Sequence, residues 1–194
     1  MYSFIKNIAT LILKIFYRMH IEGVENVPAE GGFVLACTHT GWLDIIALGV
    51  CTPRPIHYMA KIELFKMPLV AWFLSKLNSF PVNRDNPGPS SLKTPIRLLK
   101  KGEVVGIFPS GTRTKESVPL KRGAAYLADR AQVPIVPAVY EGPEALRWGD
   151  FFKGKKIVIR FGEPIAPDNE ESDRQQSLLT RLNERMEILA EGNK

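Results

Sequence analysis

Hydrophobic residues recur along this chain with two different periods. From Tyr2 to Met19 the period is helical. At about 100° per residue, Phe4, Ile5, Ile8, Leu11, Ile12, Ile15, Phe16 and Met19 share a broad apolar arc, and Lys6, Asn7, Thr10, Lys14 and Arg18 fill the opposite one. Short continuous apolar runs follow: Phe33–Thr38, Ile56–Ala60, Phe80–Asn83, Val104–Phe108, Ile135–Tyr140 and Ile157–Phe161. They read as strands covered on both faces. Helix-like stretches lie between several of them, at Leu43–Val50, Leu64–Leu77, Leu92–Lys101 and Gly123–Gln132. A last amphipathic helix is predicted over Ser172–Ala190 through Leu178, Leu182, Met186 and Leu189. Asp85–Pro95, with three prolines, reads as a surface loop. The alternation predicts an α/β fold, with a largely parallel central sheet flanked by helices and an amphipathic helix at the N-terminus. The 194 residues suit one core, divided here into an N-terminal helix over 1–20 and a single domain over 21–194.

Two helices carry more apolar surface than a simple amphipathic pattern needs. In the first, Lys14 interrupts the run, which is too short to span a bilayer, and no small-residue cleavage site follows it. Bulky apolar residues opposite cations, with no acid in the first 21 residues, suit an anionic membrane surface. The alternative is a helix packed on the protein's own core. The second stretch, Leu64–Leu77, is apolar on nearly every side, as a buried helix would be. A wall for an acyl chain or a second membrane contact is the alternative.

Charge sharpens the picture. The chain has 26 basic and 20 acidic residues, a net charge of +6 and a pI near 9.4. Residues 163–194 are net −4, so the preceding body carries the basic excess. An anionic partner is implied, but no long single-sign run or basic-aromatic platform indicates nucleic acid. Two cysteines, Cys37 and Cys51, exclude a disulfide scaffold, and with no export signal they favour a reducing compartment.

The chain has no G-x-x-x-x-G-K-[ST] loop, no G-x-G-x-x-G fingerprint and no G-x-S-x-G elbow. Its three histidines show no metal-ligand spacing. Chemistry concentrates instead where apolar strands end, the place where open α/β sheets collect ligands. Phe33–Thr38 runs into His39, Gly41 allows a turn, and Asp44 falls in the first turn of the next helix. An Asp beside a His fixes the ring tautomer and stabilises the imidazolium, so the other nitrogen can take a proton from a hydroxyl. Taken alone, the pair is also compatible with an ordinary strand end and an N-terminal helix charge. Cys37 lies two residues before His39 on the same strand face, either as a small buried residue or as a nucleophile paired with His39. Val104–Phe108 ends in Ser110, Gly111, Thr112 and Arg113, a set of hydroxyls, amides and a guanidinium suited to an oxyanion. Lys61 follows the strand Ile56–Ala60, and Arg84 follows Phe80–Asn83. Repeated at one edge of a parallel sheet, these cations would form a positive pocket beside a base.

These segments together resemble the 1-acyl-glycerol-3-phosphate acyltransferases, the lysophosphatidic acid acyltransferases of the glycerolipid acyltransferase superfamily. His39 to Asp44 matches their H-x4-D block. Lys61-Ile62-Glu63-Leu64 with Pro68, and Phe80-Pro81-Val82-Asn83-Arg84, match the approach to the second block and its end. Phe108-Pro109-Ser110-Gly111-Thr112-Arg113 matches the third, and Val133-Pro134-Ile135-Val136-Pro137-Ala138 the fourth. Gly162-Glu163-Pro164-Ile165 is also typical, and the likeness covers about residues 20–166. The third block usually has Glu at the position of Ser110, and glycine is common near Asn78 and Ser79.

The resemblance implies transfer of an acyl group from a thioester, acyl-CoA or acyl carrier protein, to the sn-2 hydroxyl of lysophosphatidic acid. His39 and Asp44 would be the catalytic pair. Lys61 and Arg113 would hold the substrate phosphate, with Arg84, Gly111 and Thr112 shaping that pocket. No cofactor and no metal are implied, and the expected location is peripheral, on the cytoplasmic face of the cell membrane. Glycerol-3-phosphate or another lysolipid is an alternative acceptor, and a non-catalytic lipid-binding module is the alternative of a different class.

Overall fold

A computed structural model describes residues 2–82, 89–110, 122–147, 150, 154–168 and 173–192. Seven strands form one sheet: β1 (Arg18–Glu22), β2 (Phe33–Cys37), β3 (Ile56–Lys61), β4 (Phe80–Val82), β5 (Val104–Ile107), β6 (Ile135–Glu141) and β7 (Lys156–Phe161). Six α-helices accompany them: α1 (Tyr2–Phe16), α2 (Leu43–Cys51), α3 (Pro68–Lys76), α4 (Pro89–Lys100), α5 (Gly123–Ala131) and α6 (Arg174–Glu191). Short 3-10 turns cover Val24–Asn26 and Ile62–Lys66. The strand order is β1-β7-β6-β2-β5-β3-β4. Strands β2 to β6 run parallel to one another, while β7 opposes β6 and carries β1 parallel to itself. The sheet is therefore largely parallel, as the alternating pattern predicts.

The period-2 alternation of β2 divides the core. Phe33, Leu35 and Cys37 face a layer containing Leu13 and Tyr17 of the N-terminal segment and Leu43, Ala47 and Leu48 of α2. Val34 and Ala36 face the other layer, where Leu99 of α4, the alanines of α5, and Leu178, Leu182 and Met186 of α6 pack. All five residues of β2 are fully enclosed. This central position explains why the strand is a continuous apolar run rather than an alternating one.

Three local expectations need correction. The first helix stops at Phe16 rather than at Met19, because Arg18–Glu22 leaves the helix to pair with β7 in register Met19↔Ile157 and Ile21↔Ile159. A strand paired on one side alternates polar and apolar residues, and in a short window that alternation blurs into helical periodicity. Asp85–Pro95 is not wholly a loop: α4 starts at Pro89 and contains Pro95. Proline costs an interior helix one hydrogen bond, but the stripe Leu92, Ile96 and Leu99 docks on the core and outweighs it. Finally, Leu64–Leu77 is not a buried helix. It breaks into the turn 62–66 and α3, and α3 buries none of its residues, with Leu69 84% exposed and Trp72 and Phe73 also exposed.

Arg160 on β7 ties the reversed strands together. Its side chain is buried, with Nε 2.9 Å from Glu22 Oε2 on β1 and Nη1 2.7 Å from Glu141 Oε1 on β6. The hydrogen bond to Glu141 is the main reason the guanidinium is held even more firmly protonated than usual. Both carboxylates are partly exposed, so Arg160→Met should lower stability to urea by about 1–3 kcal/mol. An unchanged unfolding midpoint would show that the three-residue tie contributes nothing.

Candidate active site

The site begins where β2 runs out of apolar residues. Thr38 is locked to the neighbouring strand twice: its N–H donates to the Ala138 carbonyl at 3.3 Å, and its Oγ1 accepts from the Tyr140 N–H at 2.9 Å. The next residue, His39, is thus delivered from a fixed point at the carboxyl end of the central strand. Strands β5 and β6 flank β2 on its two sides. Here the chain switches from connections running toward β4 to connections running toward β7, the topological position at which open α/β sheets place their ligands.

His39 Nδ1 lies 3.1 Å from Asp44 Oδ2. The same carboxylate oxygen accepts from the backbone N–H groups of Thr40, at 2.6 Å, and Gly41, at 2.9 Å. Asp44 is fully buried in the first turn of α2, and His39 is 7% exposed. A carboxylate there complements the positive end of the helix. Hydrogen-bonded in this way, Asp44 selects the tautomer with the proton on Nδ1 and leaves Nε2 as the basic nitrogen. The other carboxylate oxygen, Oδ1, has no hydrogen-bond partner among the described residues. Burying a carboxylate is costly, and an imidazolium formed on His39 would set a positive charge 3.1 Å from Asp44 Oδ2.

Backbone from a distant segment holds the turn from outside. The Glu144 carbonyl accepts from the N–H groups of Trp42, at 2.8 Å, and Leu43, at 3.1 Å. It caps a helix whose N-cap side chain makes no capping bond. Gly41 is needed for this approach, since a Cβ there would fall 2.0 Å from the same oxygen. A ring stack supports the His39 imidazole. Phe108 lies against it with centroids 4.2 Å apart, and Tyr58 follows parallel to Phe108 at 6.3 Å. Gly106 leaves space for Tyr58, because a Cβ would meet that ring at 3.0 Å. The Tyr58 hydroxyl donates to the Ile45 carbonyl of α2.

The other expected site residues divide into two groups. Lys61 ends β3, exposed, with Nζ 3.9 Å from Glu63 Oε2. Since β3 lies two strands from β2, about 10 Å at normal sheet spacing, its long side chain belongs to the same sheet edge as His39. Arg84, Gly111, Thr112 and Arg113 fall outside the described residues. What is described of the third block, Phe108 to Ser110, follows β5 directly beside β2. The fourth block does not reach the chemistry. It forms most of β6, and Pro137 is tolerated in this central strand because the β7 ladder starts only at Ala138↔Phe161.

Cys37 is enclosed, and burial, followed by the charge of Asp44, pushes its thiol far above the usual range. Enclosed and held as the thiol, Cys37 fits the small buried residue better than a nucleophile paired with His39. Cys51 is likewise pushed up to about 12, mainly by burial. Among the described residues no three His, Cys, Asp or Glu side chains gather as a metal site requires. Sequence reasoning missed the Phe108 stack and the Glu144 carbonyl. The dipeptide Gly142-Pro143 marks a turn there, but nothing in a sequence announces the aim of one backbone oxygen.

Comparison with known proteins agrees with this geometry. A family model described as "Acyltransferase" matches residues 18–141. The chain is 48% identical over 194 residues to the 1-acyl-sn-glycerol-3-phosphate acyltransferase of Bacillus subtilis (strain 168), covering 97% of this chain and 96% of that one. It is 32% identical to the protein of the same name from Streptococcus pneumoniae (strain ATCC BAA-255 / R6), over 84% of this chain and 62% of that one. The crystal structure of the 1-acyl-sn-glycerophosphate (LPA) acyltransferase PlsC from Thermotoga maritima shares the fold, with a TM-score of 0.72 at 23% identity over 98% of this chain and 80% of that one. Between the family model, which spans more than half of the residues, and a relative alike over nearly its whole length, the chain belongs to the acyltransferase family, among the 1-acyl-sn-glycerol-3-phosphate acyltransferases.

Proposed function

We propose that this enzyme moves a fatty acyl group from a thioester donor, acyl-CoA or acyl carrier protein, to the sn-2 hydroxyl of 1-acyl-glycerol-3-phosphate, giving phosphatidic acid. The observation that carries the mechanism is the buried His39–Asp44 pair at the end of the central strand. His39 Nε2 takes the proton of the acceptor hydroxyl as its oxygen attacks the thioester carbonyl. Asp44 holds the imidazolium that results. The carbon–sulfur bond then breaks, the carbonyl re-forms as an ester, and the proton passes from His39 to the departing sulfur. No covalent acyl-enzyme is required, which fits a site whose nearby thiol is enclosed.

Lys61 and Arg113 are assigned to the acceptor phosphate, with Arg84, Gly111 and Thr112 shaping that pocket. The adjacency of β2, β5, β3 and β4 supports this, because their carboxyl ends lead into these residues in spatial order. Holding the anion presents the hydroxyl to the base, a proximity effect.

The acyl chains call for an apolar surface. On α1 the inward side is Tyr2, Ala9 and Leu13, continued by Tyr17 just beyond the helix, while Phe4, Ile8, Leu11, Ile12 and Ile15 are exposed. The apolar arc is thus wider than the core can cover. Together with Met67, Leu69, Trp72 and Phe73 near α3, it supports peripheral docking on a membrane, which we assign to the cytoplasmic face. No helix among the described residues is long and apolar enough to cross a bilayer. Lys6 does not join Lys14 and Arg18 on the outer polar side, as the helical wheel implies. Its Nζ donates to the Thr52 carbonyl at 2.6 Å, and partial burial lowers its proton affinity.

His39→Ala should lower kcat/KM by about 10³-fold or more, and Asp44→Asn by about 10²–10⁴-fold, measured as thiol release with lysophosphatidic acid present. Substantial turnover by folded His39→Ala would sink the assignment. Cys37→Ala should stay within about threefold of the parent activity, and iodoacetamide should not inactivate the folded enzyme. Rapid inactivation that tracks alkylation of Cys37 would restore the thiol route. Phe4→Ser/Leu11→Ser/Ile15→Ser should weaken co-sedimentation with phosphatidylglycerol vesicles by about tenfold or more. Equal binding by parent and variant would remove α1 as the docking element.

A further inference from the structure

The N-terminal helix ends in a buried polar tie that packing alone does not require. Tyr17 and Asp150 are both enclosed, and the Tyr17 hydroxyl donates to Asp150 Oδ2 at 2.9 Å. Asp150 is fixed in turn by Lys155, whose Nζ lies 2.7 Å from Oδ1, and by its own N–H, which donates to the Arg147 carbonyl at 2.9 Å. The bond from Lys155 is the main cause of a carboxyl held below its ordinary range, so it stays ionised and accepting at neutral pH. An apolar pair could fill the same space at lower desolvation cost. What a hydroxyl–carboxylate bond adds is direction.

The direction leads to the active site. Arg147 lies three residues beyond Glu144, whose carbonyl receives the N–H groups of Trp42 and Leu43 and abuts Gly41. Those residues form the turn that aims Asp44 at His39. Every link between the end of α1 and the catalytic pair is thus a hydrogen bond or a short run of backbone. We propose that Tyr17 and Asp150 are positioning residues: they fix the segment around Arg147 so that the Glu144 carbonyl holds the Thr40–Asp44 turn in its reactive geometry. The helix that meets lipid and the turn that performs acyl transfer share one anchor. Displacing reacting groups by about 1 Å costs on the order of 10²-fold in rate, so a loose anchor is read in kcat even though neither residue touches substrate.

This inference rests on the function proposed above, and its test has one arm independent of turnover. Tyr17→Phe keeps the ring and removes only the hydroxyl. It should accelerate hydrogen exchange at the Trp42 and Leu43 amides by about tenfold or more, with the β2–β6 ladder amides unchanged. It should lower kcat by about 5- to 50-fold while KM for lysophosphatidic acid stays within about twofold. Asp150→Asn keeps an oxygen that can accept from Tyr17 and should retain more kcat than Asp150→Leu. The Tyr17→Phe/Asp150→Leu double variant should be no slower than the slower single one, because both break the same bond. Leu13→Ala, in the same helix but outside the hydrogen-bonded chain, should lower the melting temperature and leave kcat unchanged well below it. Unchanged amide exchange at Trp42 and Leu43 in Tyr17→Phe would overturn the proposal, as would a kcat loss matched by Leu13→Ala. Turnover surviving in His39→Ala would refute the acyl-transfer mechanism instead, and the exchange measurement would still decide whether Tyr17 anchors the turn.

Discussion

Asp44 puts a carboxylate charge at a position with no solvent exposure, and the geometry around it follows from the need to satisfy that charge. Two backbone N–H groups and one imidazole nitrogen converge on a single oxygen. For them to converge, the chain must double back within five residues. For it to double back, residue 41 must come so close to the Glu144 carbonyl that only glycine fits. The helix that begins there then lacks a side-chain cap, and the same carbonyl supplies one. One buried charge therefore dictates the glycine, the turn, the cap and the ring orientation together. The cost of burying it is offset by those three hydrogen bonds to one oxygen.

The sheet and the His39–Asp44 pairing were legible in the sequence for the same reason. Runs such as Phe33–Cys37 are apolar throughout because two helical layers cover them, and both members of the pair lie within seven residues of a strand end. What was hidden depends on distant partners. Arg18–Glu22 becomes a strand only because β7 lies beside it. Pro95 remains helical only because Leu92, Ile96 and Leu99 find a core. Lys6 turns inward only because the Thr52 carbonyl ends α2 within its reach. The Glu144 carbonyl and the stacking of Phe108 on His39 are tertiary facts, and residue type carries no trace of them.

The placement of apolar surface is the other organising feature. A globular protein hides its largest side chains, yet here Phe4, Leu11, Leu69 and Trp72 stay uncovered while alanines fill the interior of α5. Large apolar side chains of α1 and α3 thus lie outside the core rather than in it. The positive charge is also less uniform than the net +6 implies. Lys6 and Arg160 satisfy internal acceptors, which reduces the number of cations free to meet an anionic partner.

The pairing of β1 with β7 has a consequence for the order of events in synthesis. Arg18 finds its ladder partner at Lys156, so the first strand to leave the ribosome must wait for the last one before it can be hydrogen-bonded. Contacts this distant in sequence form late, since a long loop must close first. Until β7 is made, the segment that follows α1 has no sheet edge beside it, so the end of the helix is secured only when the last strand joins.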